Sequence, residues 1–142
     1  MKKSYLAIKF HADHRNKDKI EQLSAIIEKC GYESICIARD IEKWGQKSFS
    51  PHELMATTCA IIDSCDVVII ELSEKGVGLG IEAGYAFAKG IPVIAIAHKS
   101  EISTTLIGIS AQHYVYENES DLNIFMHSAL RRYSTDFYQR EK

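Results

Sequence analysis

The sequence predicts an α/β protein: one doubly wound domain over residues 1–142, built around a five-stranded parallel sheet. Five short β-prone runs alternate with segments whose apolar residues recur every three or four positions, as in amphipathic helices. The run from Asp66 to Leu72 is almost continuously apolar, which is typical of a strand buried in the middle of a parallel sheet. The chain has 142 residues, of which 46% are hydrophobic, and this is enough to bury one core.

The first half of the chain contains two predicted strands and two predicted helices. Residues 5–10 form a β-prone run, and residues 14–30 carry apolar side chains at helical spacing before a glycine. Residues 34–38 are predicted to form the second strand. A helix is then predicted to start at Ser50-Pro51-His52-Glu53 and to stop near Ser64, because Ser suits the N-cap, Pro the first helical position and Glu the third.

The second half follows the third strand, at 66–72, with the same alternation. A glycine-rich turn at 76–80 leads into a helix rich in small residues that ends at Gly90. The remaining elements are a strand at 91–97, a polar loop at 98–110, a strand at 113–116 and a helix at 120–133. The charged residues after Tyr133 are expected to be frayed. Strands joined by helices pair in parallel through right-handed crossovers, so a Rossmann- or flavodoxin-like sheet is expected.

Charge and composition exclude several kinds of partner. Lys and Arg number 17 and Asp and Glu number 19, giving a net charge of −2, so no nucleic-acid polymer is expected as a partner. The longest apolar runs are far shorter than the roughly 20 residues that cross a bilayer, so no membrane partner is expected either. The start, Met-Lys-Lys-Ser, does not resemble a signal peptide, and we therefore expect a cytoplasmic protein.

The four cysteines are predicted to be reduced structural thiols. Cys30, Cys36, Cys59 and Cys65 form no Cys-x-x-Cys pair and have no His at ligand spacing. In a cytoplasmic protein, free thiols are the ordinary state. The sequence therefore predicts no metal site and no cofactor.

Candidate substrate-binding residues follow the first two strands. Ligands of doubly wound folds lie beside the carboxyl ends of the strands. Lys9 and His11 alternate at the carboxyl end of the first strand, where they either meet an anion or simply end the strand in solvent. Arg39, Asp40 and Trp44 follow the second strand, where a base or ribose could stack or hydrogen-bond. The alternative for this second segment is a surface loop with its tryptophan packed on its own helix.

Glu82 is the candidate catalytic residue. It follows Gly76, Gly78 and Gly80, whose backbone can turn sharply and approach a ligand closely. The sequence places it in the first turn of a helix, where the helix dipole favours an ionised carboxylate by about 0.3–1 kcal/mol. An ionised carboxylate beside open backbone can attack an electrophilic carbon. The alternative is that Glu82 only complements the dipole of an exposed first turn.

A distinctive motif joins the third strand to the helix after it. Asp66 opens the strand, Gly78 lies in a glycine-containing loop, and Gly80-Ile81-Glu82-Ala83-Gly84 leads into the small-residue helix. This pattern resembles the nucleoside 2-deoxyribosyltransferase superfamily, which includes the 2′-deoxynucleoside 5′-monophosphate N-glycosidases. The resemblance implies that Glu82 is the nucleophile that attacks the anomeric carbon of the sugar. The segments KFH, RDIEKWG and FSPHELM resemble a prokaryotic branch that is named after the transferases.

The resemblance also bears on residues outside the motif. Tyr5 matches an aromatic residue that the family keeps near the sugar. Ser103 matches a serine that reaches the phosphate site of a neighbouring subunit, so a homodimer or a dimer-built oligomer is expected. Thr58 stands where the family usually has an Asp, and Gly76 where the transferases have an Asp that contacts the base. Residues 9–13 replace the Gly-Ser-rich, Arg-containing phosphate loop of the glycosidases.

Two functions follow from these residues. The first is an enzyme that cleaves an N-glycosidic bond, or transfers a (deoxy)ribosyl group, through Glu82. The alternative is a non-catalytic module that binds a nucleotide or a nucleotide-derived signal in the same crevice. Thr58 favours the module, because protonation of a leaving base needs an acid. Glu82 favours the enzyme, because an anion-binding site would avoid a carboxylate, and we expect the helix start to keep this carboxylate ionised.

Overall fold

Residues 1–134 form five strands and five α-helices. In a computed structural model, which describes residues 1–134, the strands are β1 (Lys2–Ile8), β2 (Tyr32–Ile35), β3 (Val67–Glu71), β4 (Val93–His98) and β5 (Gln112–Tyr116). The helices are α1 (Lys17–Lys29), α2 (Pro51–Asp63), α3 (Val77–Ala88), α4 (Thr104–Ile109) and α5 (Glu119–Arg131). Of the charged tail after Tyr133, only Ser134 belongs to the described residues. The prediction that this tail is frayed therefore concerns residues outside the described ones.

The sheet is parallel throughout and has the order β2-β1-β3-β4-β5, which confirms the predicted doubly wound fold. Alternate residues of each strand point to opposite faces. On one face Val67 and Ile69 pack with side chains of α1 and α5. On the other, Val68 and Ile70 pack with side chains of α2, α3 and α4. The central strand is therefore buried on both sides, as its apolar sequence predicts.

The second strand lies earlier than predicted. It ends at Ile35, and the segment Ile37–Ile41 winds into a π-helical turn instead of extending the strand. The turn is held by Asp40, whose carboxylate accepts a hydrogen bond from the backbone N–H of Cys36 at 2.8 Å. Ile37 and Ala38 are buried in this turn, so the apolar pattern was correct about burial and wrong about conformation.

The third helix also begins earlier than predicted. Gly76 is its N-cap, with an extended φ of −163°, and the supposed glycine turn forms the first turns of α3. The sheet-facing residues Leu79, Ala83 and Ala86 recur at helical spacing and are buried, which fixes the helix from its start. The prediction of a turn at 76–80 was therefore wrong. The prediction of a polar loop at 98–110 was also wrong, because the short helix α4 forms there and its Leu106 packs in the core.

The ends of the other predicted helices lie within three residues of the predicted positions. Ser50 is the N-cap of α2, and its hydroxyl accepts a hydrogen bond from the backbone N–H of Glu53 at 3.2 Å. Gly31 and Gly90 follow α1 and α3 with φ of 92° and 72°, values that favour glycine.

Candidate active site

The strongest candidate site is the buried contact between β1 and α3. The hydroxyl of Tyr5 donates a hydrogen bond to Oε1 of Glu82 at 2.7 Å. Tyr5 is only 1% exposed, while the Glu82 side chain is partly exposed. The two residues are 77 positions apart and meet because β1 packs against α3. The structure therefore places together two residues that the sequence analysis had identified separately.

Burial controls the protonation of Glu82. It raises the pKa of this carboxyl from 4.5 to about 7, and the hydrogen bond from Tyr5 opposes the rise. Glu82 is the sixth residue of α3 and not a first-turn residue, because the helix begins at Val77. The dipole effect weakens beyond the first turn, so the expectation that the helix start would keep Glu82 ionised was wrong. Near neutral pH this carboxyl is poised between its two protonation states.

Thr58 lies on α2, the helix that packs beside α3. It is 2% exposed, and its hydroxyl donates a hydrogen bond to the backbone carbonyl of Leu54 at 2.8 Å. This hydroxyl is therefore hydrogen-bonded within its own helix. Thr58 supplies no acidic group to the site.

The glycines and Ser103 surround a different space. Gly76, Gly80 and Ser103 line a cavity of about 250 Å³ between α3 and α4, together with apolar side chains. Residues two apart on a helix do not share a face, so Gly80 and Glu82 point in different directions. The structure therefore does not bring Ser103 to Glu82 within one chain. Gly78 lies one helical turn before Glu82 on the same face of α3, with open space where a side chain would be.

Lys9 and His11 lie at the carboxyl edge, but on the loop beyond β1. The Lys9 side chain runs past Gly76, 4.0 Å from where a Cβ on that glycine would lie. The His11 ring contacts the carboxylate of Glu74 and the guanidinium of Arg15. The loop after β1 is thereby joined to the loop after β3, and Glu74 has a lowered pKa, first because of its hydrogen bond with His11.

Arg39 and Asp40 are directed into their own segment. The Arg39 guanidinium donates to the backbone carbonyl of Ser34 at 2.7 Å and lies 3.0 Å from the Asp40 carboxylate. Asp40 in turn caps the backbone of the π-helical turn. Neither side chain is brought to Glu82, and both contacts stabilise the chain after β2.

Trp44 packs on the segment after β1. Its ring lies 5.6 Å from the ring of Phe10, and the Lys17 ammonium lies 4.9 Å from the ring centre. Trp44 adopts a φ of 59°, a conformation that few non-glycine residues adopt. These contacts are with the β1–α1 segment and not with its own helix, which was the alternative for this segment.

A buried ion pair that was not predicted lies on the opposite face of the sheet. Glu71 is 1% exposed, and its carboxylate accepts from the Tyr116 hydroxyl and the backbone N–H of Ser73 and pairs with the Lys19 ammonium at 2.9 Å. It is the single charged residue in the apolar run 67–72, which was the available signal. Glu71 lines a cavity of about 180 Å³ at the carboxyl edge together with Lys9.

The cysteine prediction is confirmed to the extent that all four are free thiols. Within residues 1–134, no three His, Cys, Asp or Glu side chains are placed to hold a metal ion. No helix of this described part is both long and apolar enough to span a bilayer.

Known proteins share both sequence and fold with this chain. Residues 4–124 match the model of a family described as nucleoside 2-deoxyribosyltransferase. A Thermofilum pendens protein, named as a candidate 2′-deoxynucleoside 5′-phosphate N-hydrolase, is 26% identical over 126 residues, which cover 85% of this chain and 87% of that protein.

Two solved structures illustrate the likeness in fold. The CMP N-glycosidase of Clostridium botulinum superposes with a TM-score of 0.67 at 22% identity, covering 88% of this chain and 98% of the other. A 2-deoxyribosyltransferase of Bacillus psychrosaccharolyticus gives a TM-score of 0.66 at 14% identity, covering 85% and 90%. At these identities the structures show that the fold is shared.

Proposed function

Because the chain belongs to the nucleoside 2-deoxyribosyltransferase family, we propose that it cleaves, or transfers at, the N-glycosidic bond of a nucleoside or nucleotide, with Glu82 as the nucleophile. The observation that carries the proposal is the hydrogen bond of 2.7 Å from Tyr5 to Glu82. It holds a carboxylate at a fixed position on the helix that contains the family's motif. Membership of the family also supports an enzyme over a binding module.

The proposed reaction proceeds through a covalent intermediate. Tyr5 bonds Oε1 of Glu82, so Oε2 is the oxygen that we expect to attack the anomeric carbon. The bond from this carbon to the base breaks, and the sugar remains bound to Glu82 as a glycosyl ester. Water then releases the free sugar, or a second base takes it up. The first outcome makes the protein a hydrolase and the second a transferase.

The other substrate-binding residues remain predictions. Lys9 and His11 lie at the edge where a substrate would enter, and Lys9 runs beside Gly76 at the start of α3. Trp44, Arg39 and Asp40 would have to leave the contacts described above to touch a substrate. We therefore give priority in mutagenesis to Lys9.

The partner that we propose is a second copy of the chain. Val77, Ile81 and Phe87 of α3 are 83%, 51% and 56% exposed, which leaves apolar surface beside the cavity lined by Ser103. In a dimer built on this surface, Ser103 would serve the neighbouring subunit's Glu82, since it lines a cavity that the Glu82 of its own chain does not line.

A panel assay tests the proposed activity. Wild-type protein is incubated with nucleosides and their 5′-monophosphates, in ribo and deoxyribo forms, and free base is measured by chromatography. We expect base release by the wild type and none by Glu82→Gln. The matched control is Glu33→Gln on the edge strand β2, where the side chain is exposed, and it should retain activity. Equal turnover by Glu82→Gln would contradict the proposal.

The same panel tests the alternative function. The hydroxyl of Thr58 is hydrogen-bonded within α2, so Thr58 gives the site no acid that could protonate a leaving base. This favours a binding module. Saturable binding of one panel member, measured by calorimetry, with no release of base from any member would establish the module instead.

A further inference from the structure

The face of the sheet that carries Glu82 buries no second carboxylic acid. Among residues 1–134, the one carboxyl group that is fully buried belongs to Glu71, whose neighbour Tyr116 lies in the core on the α1 and α5 side. The hydroxyl of Thr58 donates its hydrogen bond to the Leu54 carbonyl within α2. An acid that protonates a neutral base as it leaves typically accelerates cleavage of the N-glycosidic bond by about 10²–10⁴-fold.

Tyr5 does not fill this role. The Tyr5 hydroxyl already donates a hydrogen bond to Glu82, and burial raises the pKa of this hydroxyl far above its usual value. Tyr5 therefore keeps its proton at neutral pH. Cys36 and Cys65 lie close to Tyr5, and burial raises the pKa of each thiol to about 11. A group that keeps its proton this strongly is a weak acid at neutral pH.

The remaining titratable groups on the elements packed against α3 are few. On α2 these are His52 and Glu53, exposed in the first turn, Cys59, and Asp63, which accepts a hydrogen bond from Tyr85 at 2.8 Å. The short helix α4 has none. On the strands, the charged side chains are Lys2 and Lys3 of β1, Glu71 of β3 and His98 of β4.

Lys2 and Lys3 lie at the amino end of β1, two strand positions or more before Tyr5. The ring of His98 stacks on Tyr116, 5.1 Å away, on the α1 and α5 side of the sheet. Within the described part of one subunit, the titratable side chains on the helices and strands packed against α3 are therefore hydrogen-bonded elsewhere, exposed or poor acids.

We propose that the preferred substrates are N-glycosides whose base carries a permanent positive charge, such as a pyridinium. The inference rests on the proposed function and names the class of substrate that fits the same site. Such a base needs no proton in order to leave. A partly buried carboxylate also attracts a cationic substrate more strongly than a neutral one.

The step balances without an acid. Oε2 of Glu82 forms a bond to the anomeric carbon, and the bond from this carbon to the ring nitrogen breaks. The electron pair goes to the nitrogen and cancels its positive charge, so a neutral base leaves. Water then attacks the glycosyl ester, the carboxylate of Glu82 is restored, and one proton passes to the solvent. The protein needs no further reactant for hydrolysis.

A matched pair of substrates tests the inference. Nicotinamide riboside has a cationic pyridinium base, and its reduced 1,4-dihydro form has the same sugar with a neutral ring. Both are tested as nucleosides and as 5′-monophosphates, in ribo and 2′-deoxyribo forms, beside cytidine and adenosine. Spontaneous hydrolysis is measured with Glu82→Gln and subtracted. We expect kcat/KM for the cationic member to exceed that for the neutral members by about 10²–10⁴-fold, which is the usual contribution of a general acid.

The pH profile gives a second readout. With a pyridinium substrate the rate should rise through about pH 7 as Glu82 ionises and then stay level, since no acid has to remain protonated. Equal rates on neutral bases, with a bell-shaped profile, would overturn the inference and leave the proposed function standing. His52 and Glu53 would then be the acids to examine. Release of base from neither class would overturn the proposed function itself, and the inference with it.

Discussion

Replacement of Glu82 by Gln should change how the stability of the protein depends on pH. The carboxyl has a pKa of about 7 in the folded protein, against 4.5 for an unperturbed Glu. Between these two values the folded state binds more protons than the unfolded state, so stability falls as the pH rises. The difference in pKa corresponds to about 3 kcal/mol of stability, which is present in full below pH 4.5 and is lost once the pH has risen above 7.

The Glu82→Gln variant should lack this loss. The amide oxygen of Gln can accept the same hydrogen bond from Tyr5, and Gln has nearly the same size and does not ionise. Near pH 4.5 the variant and the wild type should therefore unfold at similar denaturant concentrations. At pH 8 the variant should be more stable than the wild type by about 3 kcal/mol.

Urea unfolding followed by circular dichroism measures the effect. Wild type, Glu82→Gln and the exposed control Glu33→Gln are compared at pH 4.5, 6 and 8 at one protein concentration, since assembly makes stability depend on concentration. The stability difference between Glu82→Gln and wild type should grow with pH, while that of Glu33→Gln stays constant. If the Glu82→Gln difference also stayed constant, Glu82 would titrate normally and our account of its burial would be wrong.

Three further changes test other contacts. Tyr5→Phe removes the hydrogen bond that lowers the pKa of Glu82, so the rising limb of the pH–rate profile should move to higher pH, while a purely structural role of Tyr5 would leave that limb in place. Lys19→Met leaves the buried Glu71 carboxylate without its cation and should lower the unfolding free energy by about 2 kcal/mol. Most of this loss should disappear in the double variant Lys19→Met with Glu71→Gln. A loss that persists in the double variant would mean that the broken ion pair does not cause it. Ile81→Lys places a charge on the exposed apolar face of α3 and should shift the mass measured by light scattering at micromolar concentration from dimer to monomer; a wild type that is itself monomeric would contradict the proposed interface.

The fold was predictable because its signals are local and repeated. Apolar runs gave the strands, and Ser50 and the glycines after α1 and α3 gave the helix ends. The strand after α1 was placed too late because Cys36, Ile37 and Ala38 are as apolar as strand residues. The apolar pattern does not reveal the local hydrogen bonds of Arg39 to Ser34 and of Asp40 to Cys36, which hold the chain in a turn there.

The candidate site was predictable in its residues and not in its chemistry. The motif identified Glu82, and the resemblance identified Tyr5, but no local pattern states that their side chains meet across 77 positions. The first-turn assignment failed because three alternate glycines suggest a turn, whereas buried Leu79 and Ala83 require a helix. The pKa of Glu82 follows from desolvation, which depends on the packing of elements distant in sequence.

The glycines within α3 affect how often this helix opens. An added Cβ at Gly78, Gly80 or Gly84 would meet nothing within 4 Å, so tertiary packing does not require glycine at these positions. Each one lowers intrinsic helix stability by roughly 1 kcal/mol relative to alanine. Amide protons along the exposed side of α3 should therefore exchange with deuterium by local opening, at lower free energy than those of β3. The carboxylate that we propose as nucleophile is thus held by its bond to the rigid strand β1 more than by the rigidity of its own helix.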